Sequence, residues 1–203
     1  MLKIYSFEGK NEEELLEKAL TSLNVKNEEV FVYYNKKEGK LFKLKKHELN
    51  ILKKEAVVSF IKNYFSKISE LMNIDINCEI KIRDDIINVN LLSSDNSIII
   101  GKDGKTLTSI QQLLKQTLKN KIPFDIKINL DVSNYKSRKN KQFENEIIKI
   151  AKEVLKTKVD AKLDPMNSYE RRLVHTIISK FENLETVSEG EEPNRYVIIK
   201  FKE

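Results

Sequence analysis

The chain is short of the residues that mark several large functional classes. It has one cysteine in 203 residues, so no internal disulfide can form, and no Cys or His cluster surrounds Cys78 to share a metal. Cys78 lies in an alternating strand pattern and reads as a small, buried apolar residue. With only two histidines, His47 and His175, no Ser/His/Asp or Cys/His set presents itself, so neither an enzyme nor a resident cofactor or metal is expected. No stretch approaches the ~18 consecutive apolar residues of a spanning helix. The start, Met1-Leu2-Lys3-Ile4, lacks the apolar core of a signal peptide. The expectation is therefore a cytoplasmic protein that does not insert into the membrane.

What is present is ordinary globular composition, 40% hydrophobic and 33% charged, with a net charge of +6 that is unevenly placed. Residues 134–180 carry twelve Lys and Arg against six Asp and Glu, whereas residues 1–52 carry ten against nine. A basic block of this kind suits a polyanion, although a basic face can also be merely solvated.

With five glycines in all, two fall in one tetrapeptide, Gly101-Lys102-Asp103-Gly104, between the apolar run Ile98-Ile99-Ile100 and a helical stripe of Leu107, Ile110, Leu114 and Leu118. Glycines let the backbone take positive φ and come close to a phosphate. Lys102 and Lys105 add positive charge, and the N–H groups of Lys105 and Thr106 open a helix whose dipole favours an anion. On the tetrapeptide alone a plain helix-start turn is an equal reading. It is not a nucleotide-binding P-loop, which needs four residues between its glycines.

The neighbouring elements favour the first reading. Ala56 to Met72 predicts a helix with a wide apolar face. Ile76, Cys78, Ile80 and Ile82 alternate as a strand, Asp84-Asp85 turns, and Ile86 to Leu91 forms a second strand. A short helix follows Ser94-Asp95, then come the glycine loop, the long helix to about Asn120, and a third strand of alternating Phe124, Ile126, Ile128, Leu130 and Val132. This order is that of a type II KH domain, a module that clamps single-stranded nucleic acid on such a loop. Ahead of it, residues 1–50 read as a β-α-β-β unit: a strand at Lys3 to Phe7, an Asn11-capped helix, a strand at Val30 to Tyr34 and another at Leu41 to Leu44. That unit is too small to bury much core alone. Lys45 to Lys54 reads as a linker with His47 exposed.

The last block begins with Asn134 as a helix cap, with Lys136, Arg138, Lys139 and Lys141 on the first turns. Val159 to Leu163 reads as a strand. Asn167 and Glu170 have capping-box spacing, and on the helix they open, Tyr169, Leu173, Ile177 and Phe181 are expected to face the core. Arg171 and His175 then lie one turn apart on another side. An exposed guanidinium there could fork onto a phosphate and the imidazole could hydrogen-bond or stack on a base, the alternative being a surface Arg and a half-buried His.

The run Asp164 to His175, with Ser188-Glu189-Gly190-Glu191, the strand Arg195 to Phe201, the Gly101 to Gly104 loop, Tyr135 to Lys139 and Phe7-Glu8-Gly9-Lys10, resembles the bacterial Jag (SpoIIIJ-associated, KhpB) family of RNA-binding proteins. The family has a glycine-bearing segment where this chain has Leu41-Phe42-Lys43-Leu44-Lys45. The resemblance implies an α+β protein of three small domains: 1–50, the family's N-terminal domain; 51–133, a type II KH domain; 134–203, an Arg-x-x-x-His (R-three-H) domain binding single-stranded nucleic acid. It implies nucleic-acid contacts at Gly101, Lys102, Asp103, Gly104, Lys105, Thr106, Lys136, Arg138, Lys139, Arg171 and His175. It further implies a regulator of cell elongation and division acting on single-stranded RNA, paired with a small KH-only protein or a second copy of itself. The other reading open here is an adaptor that binds a protein or membrane-associated partner through its first domain.

Overall fold

The computed structural model describes residues 2–9, 11–37 and 46–202. Among the described residues, mixed α and β elements form three three-stranded sheets, and the chain divides into two compact units, Met1–Asn134 and Tyr135–Glu203.

The first sheet has the order β1-β3-β2, all antiparallel, from β1 (Ile4–Gly9), β2 (Val30–Lys37) and β3 (Lys46–Lys53). Helix α1 (Glu12–Leu23) starts at Asn11, whose side chain accepts from the Glu13 N–H at 3.0 Å, one residue short of the Glu14 that a capping box would use. Leu15 and Ala19 of α1 close over Val30, Leu49 and Ile51. The segment expected to be a linker is thus the central strand, and the expected boundary at residue 50 falls inside it. The strand expected at Leu41 to Leu44 lies outside the described residues, as do Lys10 and the turn at Glu38-Gly39. Leu49, Ile51 and Leu52 are fully buried, and Asn50 is buried between them, accepting from the Ser6 hydroxyl at 2.6 Å. A strand buried on both faces shows no polar alternation, which is why it does not read as one. His47 is half-buried, not exposed, with Nδ1 2.8 Å from Glu12 Oε1.

The other face of this sheet leans on the next part of the chain. Tyr33 stacks on Phe124 with centroids 5.2 Å apart, and Lys54 Nζ lies 5.2 Å from the Phe31 ring and 2.9 Å from Asp85 Oδ1. A unit of some fifty residues gains by this the buried surface it lacks alone.

Helix α2 (Lys54–Met72) buries Val57, Ile61 and Phe65 but leaves Leu71 and Met72 exposed at its end. It lies against β4 (Ile76–Arg83), which pairs antiparallel with β5 (Ile86–Ser93). Then come α3 (Asn96–Ile100), a single 3-10 turn over Lys102–Gly104, and α4 (Lys105–Lys119). The last strand, β6 (Lys127–Val132), runs parallel to β5 at the sheet edge. A parallel pair needs a crossover, and α3 and α4 supply it. The expected α-β-β-α-loop-α-β order holds, with β6 starting at Lys127 instead of Phe124. Cys78 is half-buried, and burial raises its thiol pKa, partly offset by the nearby Lys62 charge. A raised pKa keeps the thiol protonated and unreactive.

The second unit opens with α5 (Tyr135–Thr157); Asn134 before it has φ +59°, not the extended backbone typical of a side-chain cap. The expected strand at Val159 to Leu163 shrinks to β7 (Ala161–Lys162), with Val159 exposed. Helix α6 (Ser168–Ile178) is followed by β8 (Leu184–Glu189) and β9 (Tyr196–Phe201), giving the sheet order β7-β9-β8. Ile147, Ala151 and Val154 of α5 join Val174, Ile177 and Ile178 of α6 and Val197 and Ile199 of β9 in one core.

The capping box at α6 forms as expected: the Glu170 N–H donates to Asn167 Oδ1 at 3.0 Å and the Asn167 N–H to Glu170 Oε2 at 3.1 Å. Asn167→Ala is expected to lower stability by about 1 kcal/mol, read as a small drop in the thermal midpoint. No change would show that the helix start is held by tertiary contacts instead.

Candidate nucleic-acid interface

The glycine loop is held at both ends by buried anchors, Ile99 and Leu107. The Gly101 N–H donates to Ser97 O at 2.8 Å, the Gly104 N–H to Gly101 O at 3.3 Å, and the Thr108 hydroxyl to Gly104 O at 2.9 Å. Gly101 has φ +69° and ψ −178°, a region essentially confined to glycine, and Gly104 has φ +81°. A Cβ built at Gly101 would lie 2.0 Å from Thr106 Oγ1 and 2.7 Å from Thr106 Cβ. The glycine is therefore required by the side chain that follows the loop as well as by the turn. Asp103 is left-handed too, at φ +55°.

Lys102, Asp103 and Lys105 are exposed, Thr106 half-buried and Gly104 buried. Gly104 occupies the N-cap of α4 with no side-chain cap, so the positive end of a 15-residue helix lies beside two exposed lysines. Of the two amides expected to face a phosphate, that of Lys105 already bonds back to Lys102 O. Along α4, an open groove of about 810 Å³ runs between Ser109, Gln112, Leu113 and Gln116 and the chain from Ile122 to Lys127. Its apolar walls include Leu113, 60% exposed. The element order implies a groove for bases beside the loop, between sheet and helices, but not this lining, because Leu113 falls outside the buried stripe of α4.

In the second unit, Arg138 and Lys139 are exposed on the first turns of α5 and Lys136 is half-buried. The expected arrangement of α6 holds in part: Ile177 is buried and Leu173 and Phe181 pack against the core, but Tyr169 and Arg171 do not lie where expected. Arg171 is buried, 9% exposed, and Tyr169 is 59% exposed. The inward stripe is Arg171, Val174, Ile177 and Ile178. Arg171 Nη1 donates to Met166 O at 2.8 Å, and Nη2 lies 2.8 Å from Glu192 Oε1 in the turn between β8 and β9. His175 Nδ1 sits 2.6 Å from Thr186 Oγ1 on β8. The pair Arg171 and His175 is one turn apart, as expected, yet each is tied to the β8–β9 hairpin. Burying an arginine with partners for its fork is feasible because its long stem covers apolar surface.

Among the described residues no group of His, Cys, Asp and Glu could hold a metal ion, and no helix is long and apolar enough to cross a membrane.

Residues 58–132 match the family described as the KH domain of KhpA/KhpB, and residues 141–201 match the R-three-H domain. The RNA-binding protein KhpB of Clostridium symbiosum is 36% identical over 148 residues, 73% of this chain and 66% of that protein. The one from Streptococcus pneumoniae is 29% identical over 145 residues, covering 71% of this chain but 44% of its own length. The one from Bacillus subtilis is 26% identical over 201 residues, 96% of each. With a type II KH fold around the Gly101 loop and an R-three-H unit after it, the chain belongs to the KhpB family.

Proposed function

We propose that the protein binds single-stranded RNA, with the phosphates held at the loop Gly101 to Gly104 and the bases laid along the groove beside α4. The observation that carries this reading is the loop itself: two positive-φ glycines, exposed Lys102 and Lys105, and the uncapped start of α4 in one place. The family's names, which describe its members as RNA-binding proteins, support it. In the second unit, Lys136, Arg138 and Lys139 supply further phosphate contacts, and His175 offers the ring nitrogen not bonded to Thr186. Arg171, committed to Met166 O and Glu192, serves by fixing the β8–β9 turn. Functionally the three parts are an N-terminal domain ending after β3, a KH domain and an R-three-H domain. By family, the role is post-transcriptional regulation of cell elongation and division in the cytoplasm, with a small KH-only protein or a second copy as partner. Two modest sites on one strand raise affinity through effective concentration, without new contacts.

Neutralising about four to six phosphates should give a slope of log K against log salt of roughly −3 to −4 for single-stranded RNA. Titrating the chain with labelled RNA over a salt series reads it directly. A slope near zero would remove the electrostatic basis. Binding to anionic vesicles in place of RNA would favour an adaptor at a membrane surface.

A further inference from the structure

Tyr169 stands outside the core of its unit. It lies on the first turn of α6 with 59% of its surface exposed, while Val174, Ile177 and Ile178 of the same helix are buried. Its phenolic oxygen accepts a hydrogen bond from Asn140 Nδ2 at 3.1 Å. Asn140 sits on the basic first turns of α5, between Lys139 and Lys141, both exposed. On α6 the exposed Arg172 follows Tyr169 by three residues, hence on the same side of the helix. Arg171 points inward, so Arg172 is the arginine of this pair that faces solvent. A large aromatic face kept in water, held by one hydrogen bond and flanked by cations from two helices, is what stacking on an unpaired base requires.

We propose that Tyr169 is a base-stacking platform of the R-three-H unit: one base of a single-stranded RNA lies on its ring while Arg172 and the lysines beside Asn140 take the flanking phosphates. This rests on the reading of the chain as an RNA-binding protein. It adds a contact separate from both the glycine loop and the Arg171 and His175 pair. Stacking is indifferent to base identity, so the site lends affinity without sequence preference.

The test uses the full chain and a labelled, unstructured single-stranded RNA. Tyr169→Ala is expected to weaken binding roughly 5- to 100-fold with the salt slope unchanged, since a stacked base releases no counterion. Tyr169→Phe, which keeps the ring, should stay within about twofold of wild type. Arg172→Ala should instead make the salt slope shallower by about 0.7. The chain contains no tryptophan, so Tyr169→Trp places a single indole at the site. Its emission should be quenched by the RNA and not by inorganic tripolyphosphate. If wild type binds the RNA, yet Tyr169→Ala binds equally well and the indole is not quenched, the platform is overturned and the loop reading stands. If wild type binds no RNA, both fall together. Quenching by an acidic peptide and not by RNA would assign the surface to a protein partner and overturn the proposal.

Discussion

Arg171→Ala is expected to destabilise the second unit by about 2–3 kcal/mol. The truncation leaves Met166 O without its donor at 2.8 Å and removes a side chain only 11% exposed. The ion pair itself contributes little of this, because Glu192 is 61% exposed and solvent screens it. Glu192→Gln should therefore cost under about 1 kcal/mol. For a unit of this size, the larger loss would move the melting midpoint by roughly 10–20 °C. Circular dichroism melts of both variants separate the cases. Equal, small shifts would mean that Arg171 carries no structural load and is available to ligand after all.

Gly101→Ala is the second large effect. At φ +69° and ψ −178° a side chain costs roughly 1–3 kcal/mol in backbone strain alone. The new Cβ must also displace Thr106, whose own Cβ would be 2.7 Å away. Together these should destabilise by about 3 kcal/mol or reshape the loop, and RNA affinity should fall in either case. The double variant Gly101→Ala with Thr106→Gly, which removes both Oγ1 and Cβ, isolates the causes when set against Thr106→Gly alone. Stability equal to that of Thr106→Gly would identify the Thr106 side chain as the obstacle, while a persistent loss would identify the backbone.

How far the sequence discloses this molecule depends on what each residue faces. The KH half is legible because Leu107, Ile110, Leu114 and Leu118 repeat at helical spacing and β4 and β5 alternate, one face buried and one wet. β3 is not, because Leu49 to Leu52 are buried on both faces and its polar start, Lys46-His47-Glu48, resembles a tether. On α6, the four-residue step holds for Leu173, Ile177 and Phe181, which pack on the core, but fails at Tyr169. The buried face begins with Arg171, whose guanidinium is met by Met166 O and by Glu192, twenty-one residues further along, and no local pattern announces such partners. The glycine loop was legible as a tetrapeptide with two lysines, but the fit of Thr106 over Gly101 and the lining of the groove along α4 belong to tertiary structure alone.

The central claim is that phosphates rest on the loop between Gly101 and Gly104. Lys102 is exposed there, so Lys102→Asp reverses one charge beside Asp103 without touching the core. The decisive measurement is the affinity of this full-length variant for single-stranded RNA at low salt, with circular dichroism and a thermal melt in parallel. The account predicts an unchanged spectrum and midpoint and an affinity lower by on the order of tenfold. An affinity equal to wild type, with the fold intact, would contradict it.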